Sequence, residues 1–198
     1  MASYHAVNGV LLSLETFLKN SMPPELKEGT VNAGVKLFGS NTINGEQTGN
    51  YIGLYLHHVA IDAHGRSRFF SPQGTDKNSA PAPELPLNLH LLLIASGSSA
   101  SIEANLLAWA MIALANHSQL DISHLTEHDS GWTQKETLSV TPEEISTEDL
   151  MRIWSTLNAT YTLSAPYVVR TLRLRLTAHQ TEGPAVLSRI FPTGVAEV

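Results

Sequence analysis

"LPLNLHLLLIAS", residues 85–96, is the stretch that decides the fold. Its apolar residues run on almost without a break, and Pro86 on one side and Ser-Gly-Ser-Ser on the other bound it. A half-exposed strand would alternate apolar and polar residues, so a continuous run of this length reads as a β-strand buried on both faces. Such a strand needs a layer of structure on each side of its sheet.

The flanking sequence supplies those layers. After the run, Ser99 is placed to cap a helix, with Glu103 in its first turn. Ile102, Leu106, Trp109, Ala110 and Ala113 form its apolar stripe, and Leu107, Met111 and Leu114 widen it. A helix apolar over so much of its girth is expected to be covered on more than one side. Before the run, YIGLYLHHVAIDAHG (51–65) has the alternation and the Tyr, Ile and Val content of a strand, long enough to lie centrally in a sheet. Earlier still, a helix is expected to start with Ser3 as its cap and to carry Val7, Val10, Leu11, Leu14 and Leu18 on one face until Pro23 and Pro24 end it. The stretch between that helix and the strand is Gly-rich and reads as connection.

Towards the C-terminus, Ser118 to Gly131 reads as a polar linker and WTQKETLSVTP (132–142) as a short strand. Ser146 and Asp149 have capping-box spacing, and Leu150, Ile153, Trp154 and Leu157 follow at helical intervals until Asn158. In YVVRTLRLRLTAH (167–179), Leu172, Leu174 and Leu176 face one way and Arg173 and Arg175 the other, as in a strand with one wet or partnered face. Each buried leucine contributes roughly 1.5–3 kcal/mol, which fixes the register. The expected fold is therefore α/β (α+β): a mixed, largely antiparallel sheet flanked by helices, in a single domain over residues 1–177, with a C-terminal tail at 178–198.

Composition narrows the function. With 12 Lys+Arg against 18 Asp+Glu and a formal net charge of −6, the chain lacks the clustered cations that a nucleic-acid backbone requires. No cysteine is present, so a disulfide framework, a thiolate nucleophile and a Cys-ligated zinc are excluded, and a cytosolic origin is the simplest reading. The first residues do not have the pattern of a signal peptide, and no stretch approaches the ~18 apolar residues of a membrane span. A charged share of 15% suggests that part of the surface meets another protein.

Nine histidines require a test for metal or acid–base chemistry. His124 and His128 stand four apart among acidic residues, the spacing of a zinc half-site, and are the basis of an alternative reading as a metal-dependent hydrolase. No apolar helical pattern surrounds them, so a polar linker is the more economical account. His57 and His58, adjacent in a strand, are expected on opposite faces, one buried and one exposed, and His90 within the apolar run as a satisfied core histidine. No G-x-S-x-G elbow, Walker A lysine or G-x-G-x-x-G fingerprint occurs, so neither an enzyme nor a bound cofactor is expected.

The long polar segment 63–86 interrupts this scaffold and carries Arg66, Arg68, Phe69 and Phe70 together. Connections of this length are often functional. The two phenylalanines either tuck onto their own core or pack on a partner subunit.

Three segments in order resemble a known family: the run carried by Leu85, Pro86, Leu87, Leu89, His90 and Leu92; the helix end with Ala113, Leu114 and Leu120; and Ile145, Leu150, Trp154, Leu157, Tyr161, Leu163, Ser164, Tyr167 and Val169. Together they resemble the cap or tail-terminator proteins of extracellular contractile injection systems, the phage-tail-like particles that include the antifeeding prophage and the virulence cassettes. The sequence departs from the family pattern at Asn88 and Leu91, where Asp and Tyr are more usual. The resemblance implies a structural protein that forms a ring, expected as a homohexamer, on the end of the inner tube. There it would stop growth of tube and sheath and hold the last sheath layer. It would be assembled in the cytoplasm and released as part of a particle. Its partners would be itself, the tube protein and the sheath protein, with Arg66, Arg68, Arg173 and Arg175 as charged contacts and Phe69 and Phe70 as apolar anchors. A soluble assembly chaperone of such a particle is the remaining alternative.

Overall fold

The structure, a computed structural model, describes residues 3–44, 48–63, 84–120, 132, 137–157 and 159–175, and for Thr171 and Arg175 the backbone alone. In chain order the elements are α1 (Ala6–Ser21), α2 (Pro24–Lys27), β1 (Gly34–Phe38), β2 (Tyr51–Ile61), β3 (Glu84–Ser96), α3 (Ala100–Asn116), β4 (Gln119–Leu120), β5 (Leu138–Pro142), α4 (Thr147–Leu157) and β6 (Ser164–Arg175). The described strands form one sheet in the order β1-β2-β3-β6-β5-β4. Only β1 and β2 run parallel, and the other neighbouring pairs are antiparallel. The expected mixed, largely antiparallel sheet flanked by helices is the fold observed.

β3 is the double-faced strand that the run 85–96 specifies. Leu87, Leu89, Leu91, Leu93 and Ala95 point into a large core built with α1 and α3, where Val10, Leu14, Leu18, Leu106, Ala110 and Leu114 are buried. Leu92 and Ile94 point the other way, into a smaller core closed by Trp154 of α4 together with Ile43 and Tyr55. The strand is continuous in its hydrophobicity because each of its two faces has a core of its own. Ile43 belongs to the connection between β1 and β2, which therefore helps to close the smaller core.

Local chemistry explains the helix starts. Ser99 accepts the Ile102 N–H at 3.4 Å at the head of α3. Ser146 caps α4 as its spacing from Asp149 suggests, accepting the Asp149 N–H at 3.0 Å, and it donates its hydroxyl to the Asp149 carboxylate at 2.6 Å. Gly97 lets the chain turn from β3 into α3, since a Cβ there would lie 2.7 Å from the backbone nitrogen of Glu103.

Five expectations are corrected. α1 starts at Ala6 after His5 rather than at Ser3, whose hydroxyl accepts the His5 N–H instead. β1 lies in the stretch read as connection, and β4 occupies the start of the segment read as linker. α3 is covered along one side, because Met111 and Ile112 remain exposed at 37% and 60%. β6 begins at Ser164, ahead of Pro166, because Ser164 and Ala165 already pair with Ile94 and Leu93.

Candidate functional site

The interface residues chosen from the sequence fall in different places. Arg66, Arg68, Phe69 and Phe70 lie outside the described residues, as do His124 and His128. Arg173 lies on β6 opposite Pro86, on the other face of the sheet from Leu172 and Leu174. Its side chain is 40% exposed and stands 3.8 Å from the Glu84 carboxylate, a loose ion pair on the neighbouring strand. The backbone of Arg175 pairs with Glu84 at the end of the same strand, and its side chain lies outside the described residues.

A second candidate assembles on the sheet face that carries α4. It arises from a β-bulge: Leu56 pairs with Leu91 and His58 with His90, so β2 has one residue more than β3 over this interval, and His57 is that residue. The expectation that His57 and His58 point to opposite faces fails for this reason. Both rings lie beside His90, with centroids 6.2 Å and 5.2 Å from it. The three imidazoles line a cavity of about 520 Å³ with Glu143 and with Arg152, Ile153 and Leu157 on α4.

The histidines differ in how they are held. The Nδ1 of His90 lies 2.9 and 2.8 Å from the two carboxylate oxygens of Glu143, so it is the satisfied histidine that its sequence context suggests. Glu143 is placed there by β6, because its N–H donates to the Pro166 carbonyl at 2.9 Å just past the end of β5. The buried Nε2 of His57 finds no hydrogen-bond partner among the described residues, while His58 is exposed. Burial, followed by the positive influence of His90, holds the His57 imidazole below its ordinary value of 6.5. Glu143 opposes that shift and His58 adds to it. Among the described residues, no three His, Asp or Glu side chains are grouped so as to hold a metal ion.

The sequence did carry a trace of this site. Ile52, Leu54 and Leu56 keep one parity on the core face, and Val59 and Ile61, exposed but paired with the core leucines Leu89 and Leu87, keep the other, and that change marks the inserted residue.

The fold is shared with two solved assemblies. One is the sheath/tube terminator of PVC, an extracellular contractile injection system, in its extended state. It has a TM-score of 0.59 and 17% identity, and the match covers 96% of this chain and 65% of that one. The other is the tube-terminating cap of the anti-feeding prophage, AFP, with a TM-score of 0.58, 13% identity and coverage of 92% and 59%. The chain thus spans a little under two thirds of the length of these structures. No curated protein matches it in sequence. The family profile described as the Pvc16 N-terminal domain matches residues 9–188, nearly the whole chain, and the chain belongs to that family.

Proposed function

We propose that the chain is a structural cap, or tail terminator, of a contractile injection particle. Copies of it form a ring, six-membered in this reading, on the end of the inner tube. The ring stops polymerisation of tube and sheath and anchors the last sheath layer. The observation that carries this reading is the match of 96% of the chain to a solved sheath/tube terminator, which the shared fold of the AFP cap supports.

A head-to-tail ring needs two different complementary patches on each subunit and no catalytic group, so the chain acts by shape and not as an enzyme. Arg173 and Arg175 on β6, with Arg66, Arg68, Phe69 and Phe70, are the proposed contact residues. Arginine supplies charge pairing, and a buried aromatic supplies the apolar anchor of an interface. Assembly takes place in the cytoplasm, and the cap then leaves as part of the particle.

Native mass spectrometry or light scattering at several concentrations, with and without purified tube protein, tests the reading. A hexamer, alone or on addition of tube protein, is expected. A monomer at every concentration that also ignores tube protein would reduce the relationship to one of fold.

A further inference from the structure

The bulge in β2 gathers three imidazoles where a regular strand would have divided them, and α4 sits over the result. The groups that face this cluster can be named element by element. β2 contributes His57, His58 and Tyr55, and β3 contributes His90. Glu143 follows β5, and α4 contributes Asp149 and Arg152. On β6, Val168 pairs with His90, and Arg170 is exposed two positions further along the same face.

The acidic groups in this set are already engaged. Both oxygens of Glu143 contact His90. Asp149 accepts the Ser146 hydroxyl, and Arg152 pairs with Glu148 at 2.5 Å and approaches Asp149 at 4.0 Å. Neither His57 nor His58 has a carboxylate partner of its own among the described residues. A proton added to His57 is therefore opposed by its burial, by His90 and by His58, with only the already paired Glu143 in its favour.

We propose that His57, His58 and His90 form an acid-sensitive seat for α4. Protonation of His57 in the bulge places a charge, with no carboxylate of its own, among the neighbouring imidazoles under α4, and loosens the helix from the sheet. The inference does not depend on the cap reading, because it concerns only the attachment of α4 to its own sheet.

The direction follows from His57, which is held below 6.5 in the folded chain. The folded state then binds fewer protons than the unfolded one, so stability is unaffected well above pH 6.5 and falls as the pH drops through and below that value. Loss of α4 should come first, since its footing is the smaller of the two cores.

Hydrogen exchange of the α4 amides, corrected for intrinsic rates and compared with those of α3 at pH 7.5 and 5.5, tests the proposal on the full chain. In the wild type, exchange of α4 should rise at the lower pH by more than that of α3. In His57→Gln this excess should disappear, and the acid-induced drop in melting temperature should shrink by roughly 2–4 °C, the scale of one group's linkage in a chain of this size. An α4 that exchanges no faster than α3 at pH 5.5, or a His57→Gln chain with the wild-type response, would overturn it. Should His57→Gln fail to fold, an NMR titration of the wild-type His57 ring decides instead: a midpoint below 6.5 is expected, and one at or above 6.5 removes the proposal.

Discussion

Trp154→Ala should cost the chain about 3–5 kcal/mol, the range for removing a large aromatic side chain from a core. Trp154 is 4% exposed and is the buried residue by which α4 is fastened. Its indole fills the space among Ile43, Tyr55, Leu92 and Ile94, its Nε1–H donates to the Ser164 hydroxyl at 3.1 Å, and its ring meets that of Tyr161 edge-on at 5.8 Å. The hydrogen bond and the aromatic contact contribute about 0.5–1.5 kcal/mol each, so the cavity and the lost burial make up the larger part. Trp154→Phe separates these contributions. It keeps an aromatic ring in the site but loses the N–H and part of the volume, and should cost about 1–2.5 kcal/mol. Urea denaturation followed by far-ultraviolet circular dichroism measures both without relying on the fluorophore that is removed. A Trp154→Ala loss below about 1 kcal/mol would mean that α4 is held by something other than this core, and the two-core description would fail.

Two further substitutions probe the joints between layers. Asn50 donates its side-chain amide to the Val31 carbonyl and accepts the Ser98 N–H at 2.7 Å, tying the approach to β1 to the turn before α3. Asn50→Ala should therefore cost about 1–3 kcal/mol in chemical denaturation, and a neutral result would show that water replaces both partners without loss. Gly97→Ala sets a methyl group against the backbone of α3, which cannot swing aside as a side chain would, and should lower stability by about 1–3 kcal/mol. An unchanged melting temperature would show that the β3–α3 turn has room the structure does not display.

What the sequence made legible was whatever depends on neighbours along the chain. The run 85–96 could be read as buried on both faces, and Ser99 and Ser146 as helix caps, because burial continuity and capping are written within a few residues. β1 and β4 were missed because their pairing is decided elsewhere: Gly34–Phe38 is a strand through its parallel register with Tyr51–Tyr55, and Gln119–Leu120 through β5. The girth of α3 misled for a related reason. Its apolar residues surround the axis, and only the position of the sheet decides which side is covered. Arg66, Arg68, Phe69, Phe70, Arg173 and Arg175 were chosen as contact residues by chemical type, and contact with a second chain is a property that one sequence does not contain. The histidine cavity was hidden by a single inserted residue.

That insertion has a counterpart across β3, and together the two give a rule that the sequence does state. β3 keeps its large-core leucines on one parity from Leu87 to Leu93, whereas both of its neighbours change parity. Along β6, Tyr167 and Val169 face the large core and then Leu172 and Leu174 do so, which requires Arg170 and Thr171 together to stand opposite the single residue Asn88. A one-residue slip turns every side chain over, so a bulge is the only way that both sets of apolar residues can share a face. Deleting Arg170 alone would even the ladder and leave Leu172 and Leu174 on the core face, whereas deleting Arg170 and Thr171 together makes Leu172 the neighbour of Val169 and drives both leucines off it. Leu172 is fully buried and Leu174 partly so, and exposing them costs about 3–5 kcal/mol, a large part of the ~5–15 kcal/mol that a domain of this kind has in hand. Arg170→Ala keeps the residue count and removes an exposed side chain, so it should stay within about 0.5 kcal/mol of the parent. If the double deletion and the substitution melt at the same temperature, the leucines do not set the register, and the same reasoning applied to His57 loses its basis.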